Sequence, residues 1–212
     1  MSAGSGTRLY SNAELGVRFE IDGSFAAGPP PDRPSDLPGD VRSVHLTARH
    51  ANGETAVLSI SRVEAGYETP PHELAEQLVI HNRYAAHTAE LNGWTIHSPW
   101  KAGMLAGYPA MHCDYVVPEP APPGDAASGV AAALGPQSPL AASGGEPRSP
   151  GHVQAWVAYA GRQTFQVTLR VHPPGDLARN RAVIDTVVRT FAVTVPRGEG
   201  PLAGDTSPAR RD

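Results

Sequence analysis

The stretch MLAGYPAMHCDYVVP, residues 104–118, sets His112, Cys113 and Asp114 side by side. Imidazole, thiol and carboxylate serve proteins as bases, nucleophiles and metal ligands, so the first question is whether these three act together. In an extended strand, successive side chains point to opposite faces. A strand through YPAMHCDYVV therefore turns Met111, Cys113, Tyr115 and Val117 one way, and His112 and Asp114 the other. The first set leans apolar, which predicts a buried Cys113 acting as a small hydrophobe and not as a nucleophile. Neighbours on opposite faces cannot form a Cys–His pair, so no catalytic residue is assigned here. His112 and Asp114 do share a face. A His-x-Asp pair can supply two ligands to a metal, with His172 or His152 as the third. The competing reading is a polar strand face with no metal, and the chain is read as needing no cofactor.

Composition narrows the classes. The 212 residues carry 17 basic and 21 acidic side chains, a net charge of -4, and the pI is about 6.1. That balance offers no basic footprint for nucleic acid and no polybasic patch for a membrane surface. Lys101 is the only lysine, every other basic residue being arginine. With 22 glycines and 22 prolines, this composition points to a GC-rich bacterial genome. One cysteine excludes an intrachain disulfide and any multi-cysteine zinc site. No apolar run reaches the roughly 18 residues that a membrane span needs. The opening MSAGSGTRLYSNAELG has no apolar core of a secretory signal, so a cytoplasmic location is expected.

The elements that would position these residues are mostly strands. GVRFEID alternates Val17, Phe19 and Ile21 with charged residues, and VRSVHLTA alternates Val44, Leu46 and Ala48 with His45 and Thr47. TAVLSISRV (55–63) follows the turn pair Asn52-Gly53, which predicts a hairpin. HVQAWVAYA and RQTFQVTLRVH flank Gly161, and the second puts Phe165, Val167, Leu169 and Val171 on one face. This period of two is the mark of a half-buried antiparallel sheet. Two helices complete the set. Residues 70–91 carry Leu74, Leu78, Ala85 and Ala89 behind Thr69, and Asn92-Gly93 stops them. Residues 176–191 begin at the cap Asp176 and bury Leu177, Ile184, Val187, Val188 and Phe191. The predicted class is α+β, an antiparallel sheet of six or seven strands with both helices on its apolar side.

Three stretches read as loop or disorder: residues 27–40, 118–151 and the tail 196–212. The middle one holds eight prolines and six glycines, too little apolar surface to offset the entropy of ordering. Neither side of it carries a convincing core alone, so it is read as an extended hairpin loop inside one domain, residues 8–195, behind a disordered 1–7.

The opening LYSNAELGVRFEID is similar to the first strand pair of the PsbP/DcrB-like superfamily, where an aromatic, a turn ending in glycine and an aromatic strand lead to a Pro-rich corner. The close, GRQTFQVTLRVHPPGDLARNRAVIDTVVRTFAV, resembles the same group: a strand after a glycine turn, a proline bend, a helix and a final V..TF.V stretch. The resemblance covers residues 8–195 apart from the insert. It implies a PsbP-like sheet with packed helices. It also implies a non-enzymatic role as assembly factor, regulator, or adaptor and chaperone for secreted effectors, with a protein segment as partner. The missing lipobox cysteine does not suit the lipoprotein branch. No catalytic motif is shared, so no functional residue carries over.

If every apolar parity faces one core, His45, His97, His112, His152, Gln154, Trp156, Gln166, Arg170 and His172 all fall on the opposite face. Trp156 is the informative one. A large aromatic flanked by Gln154 and His152 at a polar parity is either covered or a binding anchor. The expected partner-binding set is Trp156, Gln154, His152, Arg170, His172, His112 and His45.

Overall fold

The structure, a computed structural model, describes residues 6–28, 41–64, 73–118, 151–173 and 175–194. The predicted loop 118–151, the Pro-rich corner and the tail lie almost wholly outside these residues. Ten strands and two helices are present among the described residues: β1 (Thr7–Asn12), β2 (Val17–Asp22), β3 (Ala26–Ala27), β4 (Val41–Arg49), β5 (Thr55–Glu64), α1 (Glu73–Asn92), β6 (Thr95–Leu105), β7 (Tyr108–Val117), β8 (Gly151–Ala160), β9 (Gln163–His172), α2 (Leu177–Thr190) and β10 (Ala192–Val193).

Seven strands form one antiparallel sheet in the order β3-β4-β5-β9-β8-β7-β6, and β1-β2-β10 form a second. The Asn52-Gly53 hairpin forms as expected, pairing Arg49 with Thr55 and His45 with Ser59. The strand Thr95–Leu105, which alternation alone does not predict, is the edge of the large sheet. It turns into β7 through Ala106 and Gly107, both at positive φ (53° and 80°), the geometry of a two-residue hairpin turn.

One expectation is corrected. The large sheet is packed on both faces, not on one. Leu46, Leu58, Ile60, Phe165, Val167 and Leu169 point to the face covered by α2 and the small sheet, where they meet Phe19, Ile21, Ile184, Val187 and Phe191. Met111, Cys113, Tyr115, Val117, Val153 and Val157 point to the other face, where Leu74, Leu78 and Ala85 of α1 pack. The physical reason is a switch of apolar parity between neighbouring strands. Trp156 pairs directly with Val167, so a polar-parity position on β8 lies beside an apolar one on β9. Side chains of a directly opposed pair stand on the same face. The two helices therefore sit on opposite sides.

Asp176 caps α2 as expected, its carboxylate accepting from the backbone N–H groups of Ala178 and Arg179 at 2.9 and 3.2 Å. Glu54, buried beside the β4–β5 turn, forms an ion pair with Arg179 and ties down the same helix end. On α1 the buried positions include His81 and Thr88. His81 donates from Nδ1 to the Gln77 carbonyl at 2.7 Å and meets Trp100 edge to face. Burial lowers its pKa from 6.5, more than that backbone bond raises it. A histidine that folding keeps neutral binds fewer protons than in the unfolded chain, so stability falls as pH drops below 6.5. The His81→Gln chain is expected to lose less stability than the parent between pH about 7 and about 5. Equal denaturation midpoints for the parent at the two pH values would contradict this.

Candidate functional site: a shelf between α2 and β6

The register of β6, β7 and β8 lays Lys101, His112 and Trp156 in one row across the sheet, on the α2 side. The rings of His112 and Trp156 stack, with centroids 4.3 Å apart and planes 13° from parallel. Trp156 is partly exposed and packs against the main core at its inner end. Its ring reaches as far as β6. A Cβ on Gly103 would lie 3.2 Å from the indole and 3.3 Å from the imidazole of His112, a tight contact, so glycine at this position of the edge strand leaves the two rings room. Burial depresses the pKa of His112. Lys101 pushes it further down, and Asp185 of α2 pulls it up. An aromatic floor thus lies between charged side chains of both signs.

Beside the floor is a polar network. Asp114 is buried, and His152 is 1% exposed. His152 Nε2–H donates to Asp114 Oδ1 at 2.7 Å, and Arg181 Nε donates to Asp114 Oδ2 at 2.7 Å. Asn180 Nδ2 donates to His152 Nδ1 at 3.3 Å. Burial alone would raise the Asp114 pKa, but the bonds from His152 and Arg181 outweigh it and hold the carboxyl below 3.8. The network fastens α2 to the sheet and fixes the wall of the shelf. Gln154 is buried opposite Asp114, and His97 meets the His152 ring edge-on at 6.4 Å.

His112, Cys113 and Asp114 do not act together. Cys113 points to the α1 side, and burial pushes its thiol pKa far up, so the thiolate is suppressed. His112 stacks on an indole, while Asp114 gives one carboxylate oxygen to a histidine and the other to a guanidinium. MHCDY is an alternating strand. The alternative metal set His112, Asp114 and His172 is not brought together. His172 pairs with Thr55 and lies exposed on the face opposite Asp114. His152 does reach Asp114, but Arg181 places a positive charge on the oxygen a metal would need.

The expected partner-binding residues divide in the same way. Trp156, Gln154, His152 and His112 belong to the α2 side. His45, Arg170 and His172 stand on the other face, where His45 Nδ1 lies 2.8 Å from Ser59 Oγ. Strand alternation does not point to Gly103, Asn180, Arg181 or Asp185, which the structure adds to the shelf. Asn180 left a signal, since it stands four residues before Ile184 in the apolar stripe of α2. A polar residue there asks for a buried partner.

No family model matches the chain, and no curated protein does. Solved structures do. A solution structure of cyanobacterial PsbP (CyanoP) from Synechocystis sp. PCC 6803 superposes with a TM-score of 0.51 at 15% identity, over 91% of this chain and 94% of that one. The Saccharomyces cerevisiae Ran-binding protein Mog1p gives 0.45 at 10% identity, over 90% and 96%. A crystal structure from Bacteroides thetaiotaomicron VPI-5482 gives 0.42 at 8% identity over 84% of this chain, which spans only 45% of that protein. The chain has the PsbP-like α+β fold, as the resemblance of its opening and closing segments implies.

Proposed function

We propose that this is a non-catalytic binding protein, an adaptor or chaperone that holds a segment of another protein on the shelf between α2 and β6. The observation that carries the reading is the stacked Trp156–His112 pair, partly open beside a rigid charged wall. Tryptophan anchors of this kind dominate binding energy when a partner side chain covers them. The network of Asp114, His152 and Arg181 supports the reading because a fixed wall reduces the ordering cost of association. A suppressed thiol and a saturated carboxylate favour binding over catalysis. The fold adds only background, since one fold hosts many functions. The arginine-rich, lysine-poor composition supports a bacterial setting, and we place the protein in the cytoplasm. Among the described residues no helix is long and apolar enough to cross a membrane.

Trp156→Ala should weaken capture of the partner about 30-fold or more, the loss of a hot-spot side chain, while Glu90→Ala on the outer face of α1 changes nothing. Affinity capture compared across the parent and these two variants, with circular dichroism to confirm folding, checks this. Equal capture by Trp156→Ala would remove the shelf as the site.

A further inference from the structure

We infer that the shelf selects an arginine side chain of the segment it holds, with Gln154 Oε1 and the Asp185 carboxylate as its acceptors and the Trp156–His112 pair as its floor. Such selection rests on the binding role proposed above for the shelf. Gln154 is 7% exposed, and its Oε1 is buried with no hydrogen-bond partner among the described residues. The polar side chains around it are committed: Asp114 accepts from His152 and Arg181, and Asn180 donates to His152. A buried acceptor left without a donor costs folding stability, and such a group calls for a bound partner. Register fixes where the side chain stands. Gln154 pairs directly with Asp114 on β7 and precedes Trp156 by two residues on the same face of β8, at the join of wall and floor.

Asp185 supplies the charge. Arg181 of α2 holds Asp114, and Asp185 follows it by one helical turn. Four helical residues and two strand residues both advance about 6–7 Å, so Asp185 stands toward His112 as Arg181 stands toward Asp114. The charge of Asp185 accordingly acts on His112. Asp185 is exposed and makes no ion pair among the described residues. Burial holds the His112 imidazole toward its neutral form, so the floor carries no competing cation. Lys101 ends the same row on β6 and repels a positive group from that side, which turns a cationic head toward α2. One side chain meets all these demands. A guanidinium is planar, stacks on aromatic faces, and has donors enough for an amide oxygen and a carboxylate together. A lysine ammonium meets the charge but not the plane, and an acidic or apolar side chain leaves Gln154 unsatisfied.

Titration of the isotope-labelled full chain with N-acetyl-arginine amide tests this, read by NMR on the indole N–H resonance that the Trp156→Ala chain lacks. That resonance should move saturably with the probe. N-acetyl-lysine amide should bind about tenfold more weakly, and so should the arginine probe to Gln154→Met or Asp185→Asn, where one acceptor is removed or neutralised. Methionine matches glutamine in length without its oxygen. The Gln154→Met chain should therefore also melt about 2–4 °C above the parent, the unpaired acceptor being gone. An arginine probe that leaves the resonance unmoved, binds no better than the lysine probe, or binds Gln154→Met as it binds the parent would overturn the inference. So would a Gln154→Met chain that melts no higher than the parent, since the amide would then have its partner inside the fold. Each of these outcomes leaves the shelf standing, because only capture that ignores Trp156→Ala removes it.

Discussion

Asp114→Ala should cost about 3 kcal/mol of folding stability, within the range for removing one partner of a buried ion pair. The loss has two unequal parts. His152, 1% exposed, would keep an imidazole N–H aimed at a void. Arg181, with 44% of its side chain exposed, could turn toward water. Arg181→Ala should therefore cost far less, about 1 kcal/mol, as for a partly exposed pair. Asp114→Asn keeps an oxygen for His152 but offers an amide to Arg181, and should fall between the two. Urea denaturation at neutral pH separates the three. Asp114→Ala within about 0.5 kcal/mol of the parent would show that the network does not fasten α2 to the sheet. Because Asp114 is held below 3.8, its own contribution is present above that pH and is lost as acid titrates it.

Phe19→Ala should be as costly or worse, about 3–5 kcal/mol. Phe19 is fully buried on β2, with Tyr10 at 5.0 Å and Phe191 at 6.0 Å between ring centroids. Phe191 meets Phe165 of the large sheet in turn at 6.3 Å. These rings join the small sheet, the end of α2 and the large sheet in one core, so the cavity would open where three elements meet. Phe19→Leu keeps most of the volume and should cost about 1–1.5 kcal/mol. Equal thermal midpoints for the alanine and leucine variants would contradict this view of the core.

Much of this architecture is legible in the sequence, because period-two alternation is a local signal. The strands of GVRFEID, VRSVHLTA and RQTFQVTLRVH, the Asn52-Gly53 hairpin and the Asp176 cap each follow from a few adjacent residues. Which side of the sheet an alternating set faces is not a local property. HVQAWVAYA alternates as well as RQTFQVTLRVH, yet direct pairing of Trp156 with Val167 reverses their apolar parities. Only the register of a neighbouring strand carries that information. Counting outward from Asn52-Gly53 as a two-residue turn would set His45 opposite Ile60, but the loop spans residues 51–53 and sets it opposite Ser59. β6 is hidden because Pro99, Gly103 and two register shifts break its alternation.

The site is half legible. Trp156 stands out as a large aromatic at a polar parity, and its neighbours Gln154, His152 and His112 do share its face. Asp114 resembles a solvated or ligating carboxylate in the sequence because its true partner, Arg181, lies 67 residues away on α2. His172 resembles a third ligand because strand faces cannot be compared across the sheet without register.

The shelf itself is tested most directly by a photo-reactive side chain at Lys101, an exposed residue of its rim. Crosslinking in the native cell, read by mass spectrometry, would compare this chain with one that also carries Trp156→Ala and with one bearing the probe at Glu90. If the shelf holds a protein segment, a discrete heterologous product forms at Lys101 and is lost with Trp156→Ala, and none forms at Glu90. The same products with and without Trp156, or none at Lys101, would contradict binding on the shelf.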